Sequence, residues 1–282
     1  MNVWPLKIAA KIILSRLPLD YSVWKSLGLF EFGQMDKAAY ALKIFDIHAN
    51  AAFPNGPPKN SVILELGCGD SLASALIAPS HGVARTMLVD VGLYARTDIF
   101  YYKKLAEELR QSGRFVPDIS ATQNIQDMLV CLKAEYLTKG LQSLRSIPDH
   151  SVDFIWSHSV LEHVRLAEFK DTMTELKRIL RPGGRISHNV NLKDHLADGL
   201  NNLRFSERIW EGSLFANSGF YTNRLRYNQM AQIFDDLGCK TISSATGSWD
   251  TIPLSRERLA FPFCDMSEEV LKVRSYHVVL SV

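Results

Sequence analysis

The chain lacks any apolar run of the roughly eighteen residues needed to cross a bilayer, so no membrane-spanning helix is expected. Cysteine is sparse: the four residues at 68, 131, 239 and 264 show no Cys-x-x-Cys spacing. That pattern excludes a disulfide framework and a cysteine-based zinc site, and it fits a reducing cytoplasm. Neither sign of charge is in excess. The formal net charge is +2 and charged residues make up 22%, so without a clustered basic face no nucleic-acid partner is expected. Internal repeats and low-complexity tracts are absent as well. With 46% hydrophobic residues over 282 positions, the composition is that of an ordinary globular protein, read as one large α/β domain with extensions.

What the chain does have is concentrated in Ser61 to Ser71, SVILELGCGDS. Val62, Ile63, Leu64 and Leu66 form the short apolar run of a strand buried on both faces of a parallel sheet. Gly67 and Gly69 then permit a sharp turn and a close approach of backbone to ligand. A helix starting near Asp70 or Ser71 would present its free amides at the same point. A nicotinamide fingerprint beginning at Gly67 needs a third glycine at position 72, which is Leu72. Glu65, two residues before the first glycine, suits an ammonium-bearing ligand better than a pyrophosphate. The pattern therefore points to S-adenosylmethionine, with Cys68 and Ser71 as the other small residues of the loop.

A second apolar strand, MLVDVG from Met87 to Gly92, ends in Asp90 about one βαβ repeat later. An acid there is placed to accept hydrogen bonds from ribose hydroxyls, with Val91 against the adenine; the plainer reading of Asp90 is a helix cap. Together with DFIWSHSVLEHV and LKRILRPGGRI, these segments resemble the class I S-adenosylmethionine-dependent methyltransferases over roughly residues 61 to 186. The resemblance implies a Rossmann-like α/β fold, a seven-stranded sheet whose last strand, HVVLSV, runs antiparallel. It also implies S-adenosyl-L-methionine as cofactor. In two places the chain departs from the family pattern. No acid follows the third strand, where AEYLTKGLQSL offers Thr138 and Gln142 to the adenine. Nor is there an Asn/Asp-Pro-Pro-Tyr motif, which argues against methylation of nucleic-acid bases.

Organisation along the chain follows from turn chemistry and periodicity. Residues 1–55 read as an N-terminal helical extension, and 56–282 as the methyltransferase domain. Val3 to Leu17 carries Lys7 and Lys11 beside Trp4, Ile8, Ile12 and Ile13, and two readings stay open: a helix resting on an anionic membrane, or one packed on the domain. Asp36 is placed to cap a helix over residues 36–50, and FPNGPPKN is a linker. Tyr21, Tyr40 and His48 are candidates for the acceptor side or for packing. Strands are expected at 62–66, 86–90, 152–157 and 184–190 and over CKTISSATGSW and SYHVVLSV; helices near 71–78, 102–112, 160–168 and 170–180. Pro182–Gly184 reads as a turn between helix and strand. The stretches 113–148 and 191–221 exceed a minimal fold, the second lying after a strand end as an acceptor-side insertion.

Methyl transfer from a sulfonium needs an aligned acceptor, exclusion of water and, for a hydroxyl nucleophile, a proton acceptor. Ser157 and His158 end a strand near the methionine part of the cofactor. Ser159 and His163, four apart, would share a helix face. His163 is the first candidate base, as the resemblance implies; His188, Asp194 and His195 are the second group. A divalent metal held by Asp194 with a histidine is an open alternative, but such ligands show no fixed-spacing signature here, and no metal site is assigned. Glu162 reads as a buried or helix-start acid. Arg204, Arg208, Trp210, Phe215, Phe220, Tyr221, Asn223, Arg224 and Arg226 form a basic and aromatic set that could stack on a sugar and pair with phosphate, or simply be solvated.

The expectation is a cytoplasmic methyltransferase, associated at most peripherally with the inner face of the membrane, acting on an oxygen of a small or glycan-type acceptor. SHNVNLKDHL, LRFSERIWE and FYTNRLR resemble enzymes of bacterial surface-polysaccharide assembly. Two alternatives stand beside it: a lipid or quinone methyltransferase, and a non-catalytic cofactor-binding protein.

Overall fold

The computed structural model describes residues 34–282. The region 3–17 and Tyr21 lie outside the described residues. The first described helix is α1 (Ala38–Ala52). Its buried Ala41, Ile44, Phe45, His48 and Ala49 fall at helical spacing and turn one face onto the sheet. Asp36 does not cap it. Lys37 holds the N-cap position without a side-chain bond, and Asp36 instead pairs with Arg96 at 3.0 Å.

The chain then alternates strand and helix. β1 (Val62–Leu66), β2 (Arg85–Val89), β3 (Ala134–Leu137), β4 (Val152–His158) and β5 (Leu180–Asn191) run parallel, and β6 (Lys240–Ser248) is joined to them through β7 (Val273–Ser281), which pairs antiparallel with both β5 and β6. The spatial order is β3-β2-β1-β4-β5-β7-β6, a seven-stranded sheet with β1 and β4 at its centre. The antiparallel last strand is as expected. Because β1 and β4 are central, loops after their C-terminal ends open onto the crevice where the strand order reverses, which is where open α/β sheets take ligands.

Helices cover both faces. After α1 come α2 (Ala73–Ile77), α3 (Ile99–Gln111), α4 (Ile125–Cys131), α5 (Leu141–Ser146), α6 (Leu166–Ile179), α7 (Glu207–Trp210), α8 (Ser213–Ala216), α9 (Tyr227–Asp236) and α10 (Glu268–Lys272). Helices α1 to α4 pack with Ile63, Leu88, Phe154 and Trp156 into one core. Helices α5, α6 and α9 pack with Leu64, Val89, Ile155 and Ile186 into the other. Adjacent strand residues alternate between these two layers, as the period of two requires.

Four expectations need correction. Residues 160–165 form a turn rather than a helix, and α6 begins only at Leu166. Ser159 has φ +56°, outside the helical region, so Ser159 and His163 do not share a helix face. Pro182–Gly184 is a bulge inside β5, where pairing with β4 jumps from Val152–Leu180 to Phe154–Arg185. Finally, 113–148 is not surplus, since it contains α4, the edge strand β3 and α5.

Candidate active site

The turn after β1 is built by backbone geometry that only glycine takes easily. Gly67 has φ +77° and Gly69 φ +57°. A Cβ at Gly67 would stand 2.4 Å from Cγ2 of Val160, so the loop after β4 closes directly onto the loop after β1. The Gly67 amide donates to the Val89 carbonyl at 2.7 Å, and the Gly69 amide to Oδ2 of Asp90 at 2.8 Å. Asp90 thus ties the end of β2 to the glycine turn. Its Oδ1 accepts from the Val91 amide at 2.7 Å, and burial moves its pKa upward. Cys68 is sealed between the glycines, with its thiol raised by burial and Sγ 3.8 Å from Asp90 Oδ2.

Glu65 lies beneath this turn, 2% exposed, with Oε2 lacking a hydrogen-bond partner. Burial pushes its carboxyl up to about 8, so it is protonated at neutral pH. Ser71 is buried and bonds the Tyr101 hydroxyl at 3.3 Å, and α2 begins two residues later than Ser71. Val91 is 73% exposed and sits over Gly140, whose added Cβ would meet Val91 Cγ1 at 2.9 Å. One organising residue that the sequence did not mark is Tyr136. Its hydroxyl accepts from the amides of Tyr94 and Ala95 and donates to the Gly92 carbonyl, fixing the loop after Asp90. A tyrosine in an edge strand carries no sequence signal for that task; Gly140, in the turn Thr138–Gly140, does carry one.

At the end of β4 the two sheet faces part company. Ser157 is fully buried and bonds His188 Nδ1 at 2.7 Å; His188, also sealed, is depressed to about 3 by burial. On the opposite face His158 Nδ1 meets His48 Nε2 at 3.2 Å, His48 Nδ1 meets Ser187 Oγ at 2.8 Å, and that hydroxyl meets His277 Nε2 at 3.0 Å. Burial lowers all three histidines, His158 to about 4, so the chain of rings is neutral at pH 7. Neither His48 nor His277 was grouped with His158 by the sequence, because three separate elements bring them together.

The turn 160–164 carries the other group. The His163 amide donates to the Val160 carbonyl at 2.8 Å, so the residue that closes on Gly67 also anchors His163. His163 Nδ1 donates to the Tyr221 carbonyl at 3.0 Å, and its ring stacks on His195 at 4.9 Å and 13°. The His163 ring is solvent-accessible, yet protein walls it on most sides and lowers its pKa. Glu162 is 2% exposed and pushed up to about 8 by burial, with Oε1 accepting from the Asn191 amide at 3.3 Å. One donor atom from each of Glu162, His163 and His195 falls within 4.8 Å of the others.

Asp194 is not part of this group. Its carboxylate accepts from the amides of Leu196, Ala197 and Asn201 and from the Asn201 side chain, which leaves it clasping its own loop. His188 has no opening to the acceptor side either. The aromatic and arginine set likewise turns inward: Trp210, Phe215, Phe220 and Tyr221 bury one another. Arg224 stacks over Trp210 and Phe263 and donates to the Phe205 carbonyl, while Arg226 donates to the carbonyls of Leu192 and Val273. Asn223 bonds the carbonyls of Leu161 and Val164. Of the set, Arg208 is exposed and Arg204 partly so. A ring buried against other rings has no face left for a sugar, which is why this set builds the loop rather than the acceptor surface.

Residues 64–187 match the sequence model of a family described as a methyltransferase domain. Among solved structures, the chain is similar to an S-adenosylmethionine-dependent methyltransferase from Mesorhizobium loti, at 15% identity over 89% of this chain and 100% of that one, with a TM-score of 0.47. It is also similar to a methyltransferase in complex with a Haloferax volcanii activator protein, at 19% identity over 86% and 95%, with a TM-score of 0.46. A geranyl diphosphate C-methyltransferase from Streptomyces coelicolor A3(2) is 13% identical over 86% and 78%, with a TM-score of 0.46. The domain match runs from within β1 to the middle of β5 and so takes in both the glycine turn and Asp90. The chain thus carries a methyltransferase domain over residues 64–187, and the cofactor that its glycine turn and Asp90 fit is S-adenosylmethionine.

Proposed function

We propose that the acceptor is a sugar or glycan-type small molecule and that the methyl group goes to one of its hydroxyl oxygens, in the assembly of a surface polysaccharide. The observation that carries this reading is the polar character of the segments after β4 and β5, where His163 is exposed and Asn191, Lys193, His195 and Arg204 are partly so. A hydroxylated acceptor can replace the water on these groups with its own hydroxyls, whereas an apolar one would strip that water without replacing it.

The cofactor supplies a methyl group on a good thioether leaving group. Glu65, Gly67, Cys68, Gly69, Ser71, Asp90 and Val91 are the residues that would hold it, and Ser157 and His158 end the strand beside them. The glycine turn and Asp90 fix position, Val160 closes the loop after β4 onto the loop after β1, and the Glu162–His163–His195 group would activate the acceptor hydroxyl. Residues 191–221 form the acceptor-side insertion, its loop held closed by Asp194.

The test is to incubate the purified protein with methyl-labelled cofactor and fractionated bacterial extract. Label in water-soluble sugars or polysaccharide is expected. Label in the organic phase would instead favour a lipid or quinone acceptor, a reading supported by Val91, Leu93 and Phe100, which are 73%, 80% and 75% exposed. Among the described residues no helix is long and apolar enough to cross a membrane. Peripheral membrane contact through 3–17 stays a proposal, and loss of both liposome binding and activity on deleting 1–17 would support it.

A further inference from the structure

We propose that Glu162, His163 and His195 form a binding site for a divalent first-row transition-metal ion, zinc-like in its preferences, at the mouth of the acceptor site. The donor set is two imidazoles and one carboxylate, contributed by the turn after β4 and the loop after β5. Such a set holds zinc while leaving a fourth position open. Bonds of 2.0–2.1 Å in a tetrahedron put neighbouring donors about 3.3–3.5 Å apart. Here all three donor atoms already lie within 4.8 Å of one another, a gap that side-chain rotation closes.

Two further observations point to a cation. Glu162 is a carboxyl 2% exposed, one of whose oxygens has no hydrogen-bond partner, and no basic side chain among the described residues forms an ion pair with it. A sealed acid in that state keeps a proton or acquires a metal. His163 spends Nδ1–H on the Tyr221 carbonyl, which sets its tautomer and leaves the Nε2 lone pair available, the way ligating histidines are oriented. The turn is also preorganised: Asn223 donates through its amide to the Glu162 carbonyl at 2.7 Å and through its side chain to the carbonyls of Leu161 and Val164.

The exposed side of His163 places the open coordination position toward the acceptor. On the O-methylation reading, on which this role rests, an acceptor hydroxyl bound there would lose its proton to water. Its oxygen would then form the O–CH3 bond as the CH3–S bond breaks, with the electron pair passing to sulfur. Metal binding itself does not depend on that reading.

The experiment uses tag-free full-length protein, stripped with a chelator and titrated with Co2+ and then Zn2+ without any acceptor. A saturable one-to-one isotherm is expected, with the visible absorption of a low-coordinate cobalt ion that zinc displaces. His163→Ala and His195→Ala should each weaken binding by about 100-fold or more, while the affinity for S-adenosylmethionine stays within about twofold because neither residue touches the glycine turn. Glu162→Gln, of the same shape, should weaken metal binding similarly; should it fail to fold, the two histidine variants carry the test. Absence of saturable binding, or binding unchanged in the His163→Ala, His195→Ala double variant, would overturn the site. Label transfer to a non-hydroxyl acceptor would overturn the functional reading and leave the metal result standing.

Discussion

Replacing Gly67 by alanine probes the contact that couples the loop after β1 to the loop after β4. Two costs add. The backbone at φ +77° holds a Cβ at about 1–2 kcal/mol. That Cβ would also lie 2.4 and 2.7 Å from the two γ-carbons of Val160 and 3.1 Å from its Cβ, and overpacking of this kind costs about 1–3 kcal/mol. Gly67→Ala should therefore destabilise the fold by about 2–5 kcal/mol, or shift Tm down by roughly 2–4 °C per kcal/mol for a domain of this size. Because relief comes from moving the loop, the calorimetric Kd for S-adenosylmethionine should weaken at least tenfold, which corresponds to about 1.4 kcal/mol. The second perturbation is Val160→Ala, which removes both γ-carbons. In a double-mutant cycle of Tm and Kd, the pair should show a coupling of about 1 kcal/mol or more, since only the steric part is relieved and the backbone part stays. A Gly67→Ala protein with unchanged stability and affinity would refute the close approach. Strict additivity with Val160→Ala would show that the two loops do not touch.

Asp90→Ala should weaken cofactor affinity by about 1–3 kcal/mol, through lost charge-assisted bonds and a loosened glycine turn; unchanged calorimetric affinity would sink the ribose assignment. Glu65 is raised from an ordinary 4.5 to about 8, so the unfolded chain releases a proton between those values that the folded chain keeps. Its contribution to stability therefore falls as pH rises through that window, at up to about 1.4 kcal/mol per pH unit. Glu65→Gln should thus gain stability over the parent between pH 5 and 8, and parallel pH–stability curves would show that the carboxyl is ionised in the fold. Asp194→Ala should lose at least about 3 kcal/mol in chemical denaturation, the lower figure for two charge-assisted hydrogen bonds. A variant of parental stability without turnover would make Asp194 catalytic after all.

The glycine turn and the acid that closes on it were legible because they rest on local chemistry. Two glycines after an apolar run, and an acid after the next strand, are properties of short contiguous segments, and β1, β2, β4, β6 and β7 appear close to where alternation and apolar runs place them. The turn at 160–165 was misread as helix because Val160, Leu161 and Val164 have helical spacing. What overrides it is tertiary: Val160 must reach Gly67, and Asn223 draws three carbonyls of the turn toward itself.

The acceptor half depended on the partners of each side chain, and sequence distance hides these. Asp194 reads in the sequence as a ligand or base, and in the fold four donors from its own loop enclose it. Trp210 and Arg224 have the residue types of a sugar platform, but a ring or guanidinium is defined by what covers it, and here they cover each other. His48, His158 and His277 stand on three elements far apart in the chain and meet only because β5 and β7 pair beneath α1. The sequence by itself thus determined the strand-and-turn chemistry that takes the cofactor, since backbone conformation is governed by neighbouring residues. Only the tertiary structure decided which histidines and acids are sealed, exposed or partnered, since burial and partnership are set by segments that the chain keeps apart.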